Sequence, residues 1–335
     1  MKRIISLLLA LALSLSLAAC AAPAEKADDG KLQIVTTLFP YYDFARAIAQ
    51  DRADVTLLLS PGREAHSFEP TPLDAVTISE ADVFLYNGGE GEYWVESMLD
   101  AAGEHIAVAS RMMDYVDALN EEYVEGMQGA DGHDHDHEHG SHDDHDHDHE
   151  EDEHDSDEIE YDEHIWTSPK NAVVLCRAVC DAICRADAEN AAFYRANCEN
   201  YCAQLEDLDA RFAALCESAP RRLLIFADRF PMLYFCREYG LDYRAAFHGC
   251  SGDTEPSLAT IKFLIDKVED ENIPVVYTID FGTKKVAAVV SECTGAAIET
   301  LYSMQTVSRA DFDAGETYLT LMERNFEALR KGLNE

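Results

Sequence analysis

The chain has 335 residues, which is long enough for about two domains, and hydrophobic residues make up 47% of it. Its formal net charge of −39 results from 65 acidic and 26 basic residues. Such a chain lacks the basic face with which proteins bind nucleic acid or an anionic membrane surface, so the composition excludes both as partners. It fits a protein that handles cations or binds a basic ligand.

The first twenty residues have the pattern of an exported lipoprotein. Two basic residues precede an apolar run over 4–17, and Cys20 follows two alanines. The run is shorter than the roughly 20 apolar residues that a membrane-spanning helix needs, which favours a cleaved signal over an anchor helix. We therefore predict a signal peptide over residues 1–19, a lipidated Cys20, and a flexible tether over 20–31.

Strand and helix patterns alternate after residue 31. Short apolar and β-branched runs predict strands over 32–38, 54–59, 81–86, 105–109, 222–227, 242–246, 275–279 and 297–301. Apolar residues at helical spacing predict helices over 41–49, 72–80, 94–102, 230–239, 257–270, 284–294 and 317–333, with two longer ones over 170–185 and 187–217. This alternation is typical of βαβ units, which build mainly parallel sheets.

We therefore predict an α/β protein with two lobes joined by a long helix. The N-terminal lobe covers residues 32–168, linking helices cover 169–218, and the C-terminal lobe covers 219–335. Ligands of open α/β sheets bind beside the loops that follow the carboxyl ends of the strands. Residues directly after each strand are therefore the candidate ligands.

A tract of alternating histidine and acidic residues occupies positions 131–154 and contains nine of the thirteen histidines. It has no apolar residue that could enter a core, so we predict a disordered loop. An acidic solubilising loop would explain the carboxylates but not the imidazoles. Imidazole nitrogen together with carboxylate oxygen suits Zn, Ni, Cu or Co. We expect weak or multi-site metal binding that loads or senses metal rather than forming the principal site.

Nine cysteines follow Cys20, and five of them are spaced by four residues on the predicted linking helices. These five are Cys176, Cys180, Cys184, Cys198 and Cys202. A stripe of packed thiols, disulfides between adjacent helices and a thiolate zinc site all remain open. Packed thiols are favoured, and the zinc site lacks the usual CxxC spacing.

Two histidines outside the tract lie in distinctive loops. His66 follows the second predicted strand in the run PGREAHSFEPTP, and His164 precedes the first linking helix in DEHIWTSP. An isolated histidine is usually a core or surface residue. Two histidines at loop positions, one of them directly after a strand, instead indicate metal ligands.

These runs, together with TLFPYYDFARAIA after the first strand, resemble the metal-binding proteins of bacterial ABC importers that take up zinc and manganese. The resemblance covers nearly all of 32–335. It implies two (β/α)4-like lobes, a rigid linking helix, and a metal buried between the lobes with His66 and His164 as first-lobe ligands. It also implies an ABC permease with its ATPase as partner. We expect a monomer outside the cytoplasm, lipid-anchored to the cell membrane on the periplasmic face or the cell surface.

The second lobe departs from the family pattern. The family usually has a histidine after the strand that opens this lobe, whereas this chain has Ala227 followed by Asp228. Asp228 is the favoured substitute, and His248 after the next strand is its rival. The family's fourth ligand, a carboxylate after a later strand, corresponds to Asp280, which could instead cap a helix.

The sequence thus predicts a protein that captures Zn²⁺ and delivers it to a permease, without a reaction of its own. Zinc is favoured over manganese, which prefers more oxygen ligands than a histidine-rich protein offers. No HExxH motif is present, although a zinc-dependent metallohydrolase with the same ligands remains an alternative. A metal-dependent surface adhesin on the same fold is the other alternative.

Overall fold

The computed structural model describes residues 30–63, 68–128, 160–249 and 255–334, and residues 32–335 belong to one compact unit. Cys20, His66 and the tract over 131–154 lie outside the described residues. Within the described residues, no helix has the length and apolar character needed to cross a bilayer.

The N-terminal lobe is built on a four-stranded parallel sheet in the order β2–β1–β3–β4. The strands are β1 (Leu32–Thr36), β2 (Ala53–Leu57), β3 (Val83–Tyr86) and β4 (Val108–Arg111). The helices beside them are α1 (Phe39–Ala49), α2 (Pro72–Ser79) and α3 (Trp94–Ala102). Helix α2 begins where Thr71 and Asp74 form a reciprocal capping box, with Pro72 at the first helical position.

Two long helices follow this lobe, α4 (Pro169–Ala186) and α5 (Ala191–Ser218). The Ser168 hydroxyl accepts a hydrogen bond from the backbone N–H of Asn171, and Pro169 occupies the first turn, so α4 starts at a well-defined residue. The two helices pack against each other and against α1. They therefore form a rigid connection to the C-terminal lobe.

The C-terminal lobe repeats the topology of the first, with a parallel sheet in the order β6–β5–β7–β8. Its strands are β5 (Leu223–Phe230), β6 (Asp242–His248), β7 (Val275–Ile279) and β8 (Ala297–Leu301). Its helices are α6 (Leu233–Tyr239), α7 (Leu258–Asp270), α8 (Lys285–Thr294), α9 (Arg309–Ala314) and α10 (Tyr318–Asn334). The two-lobed α/β prediction is therefore confirmed.

Two local predictions are wrong, and one helix has no predicted counterpart. Strand β4 spans Val108–Arg111 rather than 105–109, because Gly103–His105 form a 3-10 turn that delays it. Strand β5 continues to Phe230, so Asp228 lies within the strand, where its register against β6 shifts. Helix α9, a short helix capped by Ser308, has no counterpart among the predicted elements.

The segment that follows β8 joins the two lobes through hydrogen bonds that its main-chain carbonyls accept from the N-terminal lobe. The indole N–H of Trp166 donates to the carbonyl oxygen of Ser303 at 2.7 Å. The backbone N–H of Phe39 donates to the carbonyl of Gln305 at 3.3 Å, and that of Gly62 donates to Val307 at 2.7 Å. Residues 303–307 are thus held against the N-terminal lobe, and we call them the bridging segment.

A buried tyrosine connects the last helix to the same region. Tyr318, at the start of α10, donates its hydroxyl to the carbonyl oxygen of Trp166 at 2.7 Å. Its backbone N–H donates at 2.9 Å to the carboxylate of Asp43, which also accepts from the Tyr201 hydroxyl at 2.6 Å. These bonds tie α10, α1 and α5 together behind the bridging segment.

We expect Tyr318→Phe to lower the free energy of unfolding by about 1–3 kcal/mol, because it leaves the buried carbonyl of Trp166 without its donor. Tyr93→Phe is the matched control, since the Tyr93 side chain is 75% exposed and should change stability little. Urea denaturation of the three proteins measures the difference. Equal stability of wild type and Tyr318→Phe would show that the bond contributes nothing.

Candidate metal centre

A small cavity of about 20 Å³ lies where the linking region meets the C-terminal lobe, with room for one ion or one water. His164, just before α4, lines one side of it, and Asp280, directly after β7, lines another. The bridging segment contributes Ser303 and Gln305 to the wall. The structure therefore brings together two of the four predicted metal ligands, one from each lobe.

His164 is buried and oriented by its neighbours. Its backbone N–H donates to Oδ1 of Asp162 at 2.8 Å, and its ring Nδ1 lies 3.2 Å from the same oxygen. Histidine ligands of metals commonly place one ring nitrogen against a carboxylate, which fixes the tautomer and makes the other nitrogen the ligand atom. In this arrangement Nε2 of His164 would be the coordinating atom if the ring binds a metal. The Trp166 ring packs edge-on against it at 5.6 Å between centroids.

The close packing around His164 requires a glycine. A Cβ atom at Gly249 would lie 3.0 Å from Cε1 of His164 and 2.9 Å from the carbonyl oxygen of Phe230. Neither contact leaves space for a side chain. Gly249 therefore allows the end of β6 to approach the ring and close the cavity on that side.

Carboxylates set the protonation behaviour of His164. Burial lowers the pKa of His164, but the charge of Asp162, its hydrogen bond and the nearby Glu163 together raise the pKa above its ordinary value. A protonated imidazole cannot bind metal, so a metal ion competes with a proton at this ring. The same carboxylates attract a divalent cation.

Asp280 is positioned by the bridging segment. Its Oδ1 accepts a hydrogen bond from the backbone N–H of Ser303 at 3.1 Å. The carbonyl of Ser303 in turn accepts the Trp166 indole N–H. Ser303 thus orients Asp280 through its N–H, and through its carbonyl it contacts Trp166, two residues after His164.

Asp228 lies beside this cavity but is not among the described residues that line it. Its Oδ1 accepts from the backbone N–H of Arg229 at 2.9 Å, and its Oδ2 accepts from that of Ile279 at 3.4 Å. The carboxylate packs so closely on Gly282 that a Cβ atom there would lie 1.7 Å from Oδ2. Asp228 is therefore next to the loop that carries Asp280, at the same edge of the sheet.

The rival residue, His248, faces a different segment. Its Nδ1 lies 2.8 Å from Oε2 of Glu121, and its ring centroid is 5.1 Å from that of Tyr123. The neighbouring Gly249, not His248, lines the cavity among the described residues. This contact with Glu121 makes His248 part of the packing between β6 and the segment that follows β4.

Sequence reasoning missed two residues of this centre. Arg229 lines the cavity, and its positive charge opposes that of a bound cation. Asp162 orients His164, and the signal for it was present, since a carboxylate two residues before a candidate histidine ligand is a typical supporting group. No sequence pattern indicated that Arg229, rather than Asp228, lines the cavity.

A second cavity lies beside the first and shares Gln305 with it. It is lined by Glu92, Asn87, Glu163 and Phe68, among others. Oε2 of Glu92 accepts from the backbone N–H of Gly88 at 2.8 Å, while its Oε1 has no hydrogen-bond partner among the described residues. Burial raises the pKa of Glu92 to about 7, and the Gly88 hydrogen bond offsets this only in part.

Two parallel-sheet lobes, joined by long helices and presenting a histidine and a carboxylate to one cavity, define a binding protein for a metal ion. The family model described as zinc-uptake complex component A, periplasmic, matches residues 34–332, and the chain belongs to this family. It is therefore a transport component rather than an enzyme, as the sequence predicted.

The relatives agree with this assignment. The chain is 31% identical over 306 residues to the high-affinity zinc uptake system protein ZnuA of Bacillus subtilis, covering 90% of this chain and 88% of that protein. It is 31% identical over 334 residues to the zinc-binding lipoprotein AdcA of Streptococcus pneumoniae, where the match covers 99% of this chain and 61% of AdcA.

Solved structures have the same fold. The Zn(II)-bound ZnuA-like domain of S. pneumoniae AdcA matches with a TM-score of 0.71 at 26% identity, covering 91% of this chain and 100% of that domain. The metal-dependent lipoprotein YcdH of B. subtilis matches with a TM-score of 0.72 at 29% identity, covering 90% of this chain and 100% of that structure.

The raised pKa of Glu92 predicts a pH-dependent effect on stability. The folded state holds the Glu92 proton more tightly than the unfolded state, so stability is lost as pH rises from about 4.5 to about 7. We expect Glu92→Gln to be more stable than wild type by up to about 3 kcal/mol at about pH 8, with little difference at about pH 4.5. Urea denaturation at both pH values measures this.

The exposed Glu96, on α3, provides the matched control Glu96→Gln, which should follow wild type at both pH values. A Glu92→Gln protein that is destabilised equally at both pH values would contradict the inference that burial of the charge is costly.

Proposed function

We propose that this chain captures Zn²⁺ outside the cytoplasm and delivers it to the permease and ATPase of an ABC importer. The observation that carries this proposal is that His164 and Asp280, from the two lobes, line one small buried cavity. The zinc-uptake and zinc-binding names of the relatives support the choice of metal and process. Nitrogen and carboxylate oxygen are donors that zinc accepts readily.

The proposed ligands are His66, His164, Asp228 and Asp280, which would supply the four donors of a tetrahedral zinc site. Two contacts of the chain on either side of His66 support its inclusion. Gly62 donates to the bridging segment, and Phe68 lines the cavity that shares Gln305 with the metal cavity. The described residues on both sides of His66 therefore contact this region, which is the support for including it among the ligands.

Ligands from both lobes suit uptake rather than catalysis. An ion held between the lobes fixes their relative arrangement, and a permease can distinguish the loaded arrangement from the empty one. The metallohydrolase alternative is not favoured, because the family is one of uptake components. The adhesin alternative is not favoured either, since the laminin-binding proteins that share the fold are 19–20% identical and show only the fold.

Two further parts of the proposal rest on the sequence alone. The signal-peptide pattern that ends before Cys20 supports anchoring of the mature chain to the cell membrane through this residue. The anchored chain would work as a monomer. The tract over 131–154 would collect zinc weakly and raise its local concentration, because its histidines offer many donors without fixed geometry.

Substitution of the ligands tests the proposed site. We expect His164→Ala and Asp280→Asn each to lower Zn²⁺ affinity by more than about 100-fold, since each removes one donor from a site of about four. His105→Ala and Asp242→Asn are matched controls at exposed positions and should bind as wild type does. Competition against a chromophoric zinc chelator measures the affinities. Wild-type affinity in His164→Ala would exclude this site.

The same titration resolves the remaining ligands. A loss of affinity in Asp228→Asn with none in His248→Ala supports Asp228, and the reverse assigns the ligand to His248. A chain without residues 131–154 should keep tight binding and lose only weak binding. Loss of tight binding in that chain would make the tract the principal site. Mn²⁺ should compete poorly with Zn²⁺ in the wild type.

A further inference from the structure

The interface between α4 and α5 contains a cluster of buried thiols that are not among the described residues lining the metal cavity. Cys176, Cys180 and Cys184 follow one another at four-residue intervals on α4, and Cys198 and Cys202 do so on α5. Residues four apart share one face of a helix, so each set forms a stripe. All five are 7% exposed or less, and all are free thiols. We call these five residues the thiol cluster.

Three sulfur atoms of the cluster converge. The Sγ atoms of Cys176, Cys198 and Cys202 all lie within 4.8 Å of one another. Among the described residues, this is the one place where three metal-binding side chains bring their ligand atoms so close together. The sulfurs of Cys198 and Cys202 are 3.8 Å apart. Because zinc–sulfur bonds are about 2.3 Å long, sulfurs in a tetrahedral site are about 3.8 Å apart.

The immediate surroundings favour ionisation of one of these thiols. Hydrogen bonds from Cys176, then from Cys180 and Cys202, lower the pKa of the Cys198 thiol, and the charge of Arg177 acts in the same direction. Burial opposes this shift but does not cancel it. A thiolate, rather than a thiol, is the form that binds metal.

An ion can reach the cluster from solvent. A surface groove beside it is lined by Cys180 and Cys198, by three acidic residues and by two basic ones, which are Asp181, Glu199, Glu206, Arg177 and Arg195. The three carboxylates outnumber the two guanidinium groups, so the charge of the groove favours a cation, and the cysteines are the buried members of its lining. Neutral thiols that only fill space need no such opening, and the groove gives the cluster a path for exchange.

We propose that Cys176, Cys198 and Cys202 form a second metal site, separate from the interlobe cavity, for a thiophilic d10 cation such as Zn²⁺, Cd²⁺ or Cu⁺. Thiolate sulfur is the donor that selects these ions. Binding of the metal replaces the three thiol protons, which are released to solvent. The sulfur of Cys180 is not among those that lie within 4.8 Å of one another, so the three converging cysteines supply the protein ligands and solvent would complete a tetrahedral ion. A bound ion would link α4 to α5.

Cadmium alone, added to the reduced full chain, tests this site, because sulfur-to-cadmium charge transfer absorbs in the ultraviolet and the proposed interlobe ligands contain no sulfur. The wild type should show a band that saturates with one equivalent of Cd²⁺. The band should persist in His164→Ala. Displacement by added Zn²⁺ or by Cu⁺ under anaerobic conditions shows which ion the site prefers.

Cys198→Ser should lose most of this band and bind Cd²⁺ at least about 100-fold more weakly. The matched control is Cys216→Ser, the same substitution of another buried cysteine on the same helix, which should keep the band. Cys202→Ser repeats the test if Cys198→Ser does not fold, as judged by circular dichroism.

Three results would overturn the proposal. The first is the absence of a charge-transfer band in the wild type. The second is an equal loss of the band in Cys198→Ser and Cys216→Ser. The third is a disulfide within the thiol cluster of the exported protein, detected by alkylation and mass spectrometry without reductant.

Discussion

Ser303 provides the constraint on which the metal centre depends, because it is bonded to both halves of the site. Its carbonyl accepts the indole N–H of Trp166, two residues after His164, and its N–H donates to the carboxylate of Asp280. A site with ligands from two lobes is only as well defined as the relative position of those lobes. The bridging segment, supported from behind by Tyr318, limits how far that position can vary before an ion is bound, and the ion would then fix it. Pre-organisation of this kind reduces the ordering that binding would otherwise require.

Electrostatics and burial act together at this centre. His164 is buried beside Asp162 and Glu163, and burial raises the pKa of Glu163 while a hydrogen bond from Gly91 at 2.8 Å partly offsets the increase. Buried carboxylates are costly when unpaired, and a divalent cation removes much of that cost. Arg229 also lines the cavity, and its positive charge works against this attraction. A transport protein must also release its ion, and a moderated attraction suits that requirement.

The sequence predicted much of the fold because each strand is short and apolar and each helix is amphipathic. The prediction from sequence failed where tertiary contacts determine where an element ends. An example is the end of β5, where pairing with β6 extends the strand through Asp228. The motifs identified His164 and Asp280, which share a cavity. They could not separate Asp228 from His248, because a register shift within β5 and an ion pair with Glu121 determine where these side chains point. The same limit applies to the thiol cluster, since spacing predicts a stripe on each helix but not the convergence of sulfurs from two helices.

The central claim is that one zinc ion binds between the lobes, and a crystal structure of the zinc-loaded chain with anomalous data at the zinc edge tests it most directly. The account predicts the strongest anomalous peak in the cavity between Nε2 of His164 and the carboxylate of Asp280, at coordination distances of about 2.0–2.2 Å from both. A loaded crystal with no peak there, and with its zinc bound elsewhere on the chain, would contradict it.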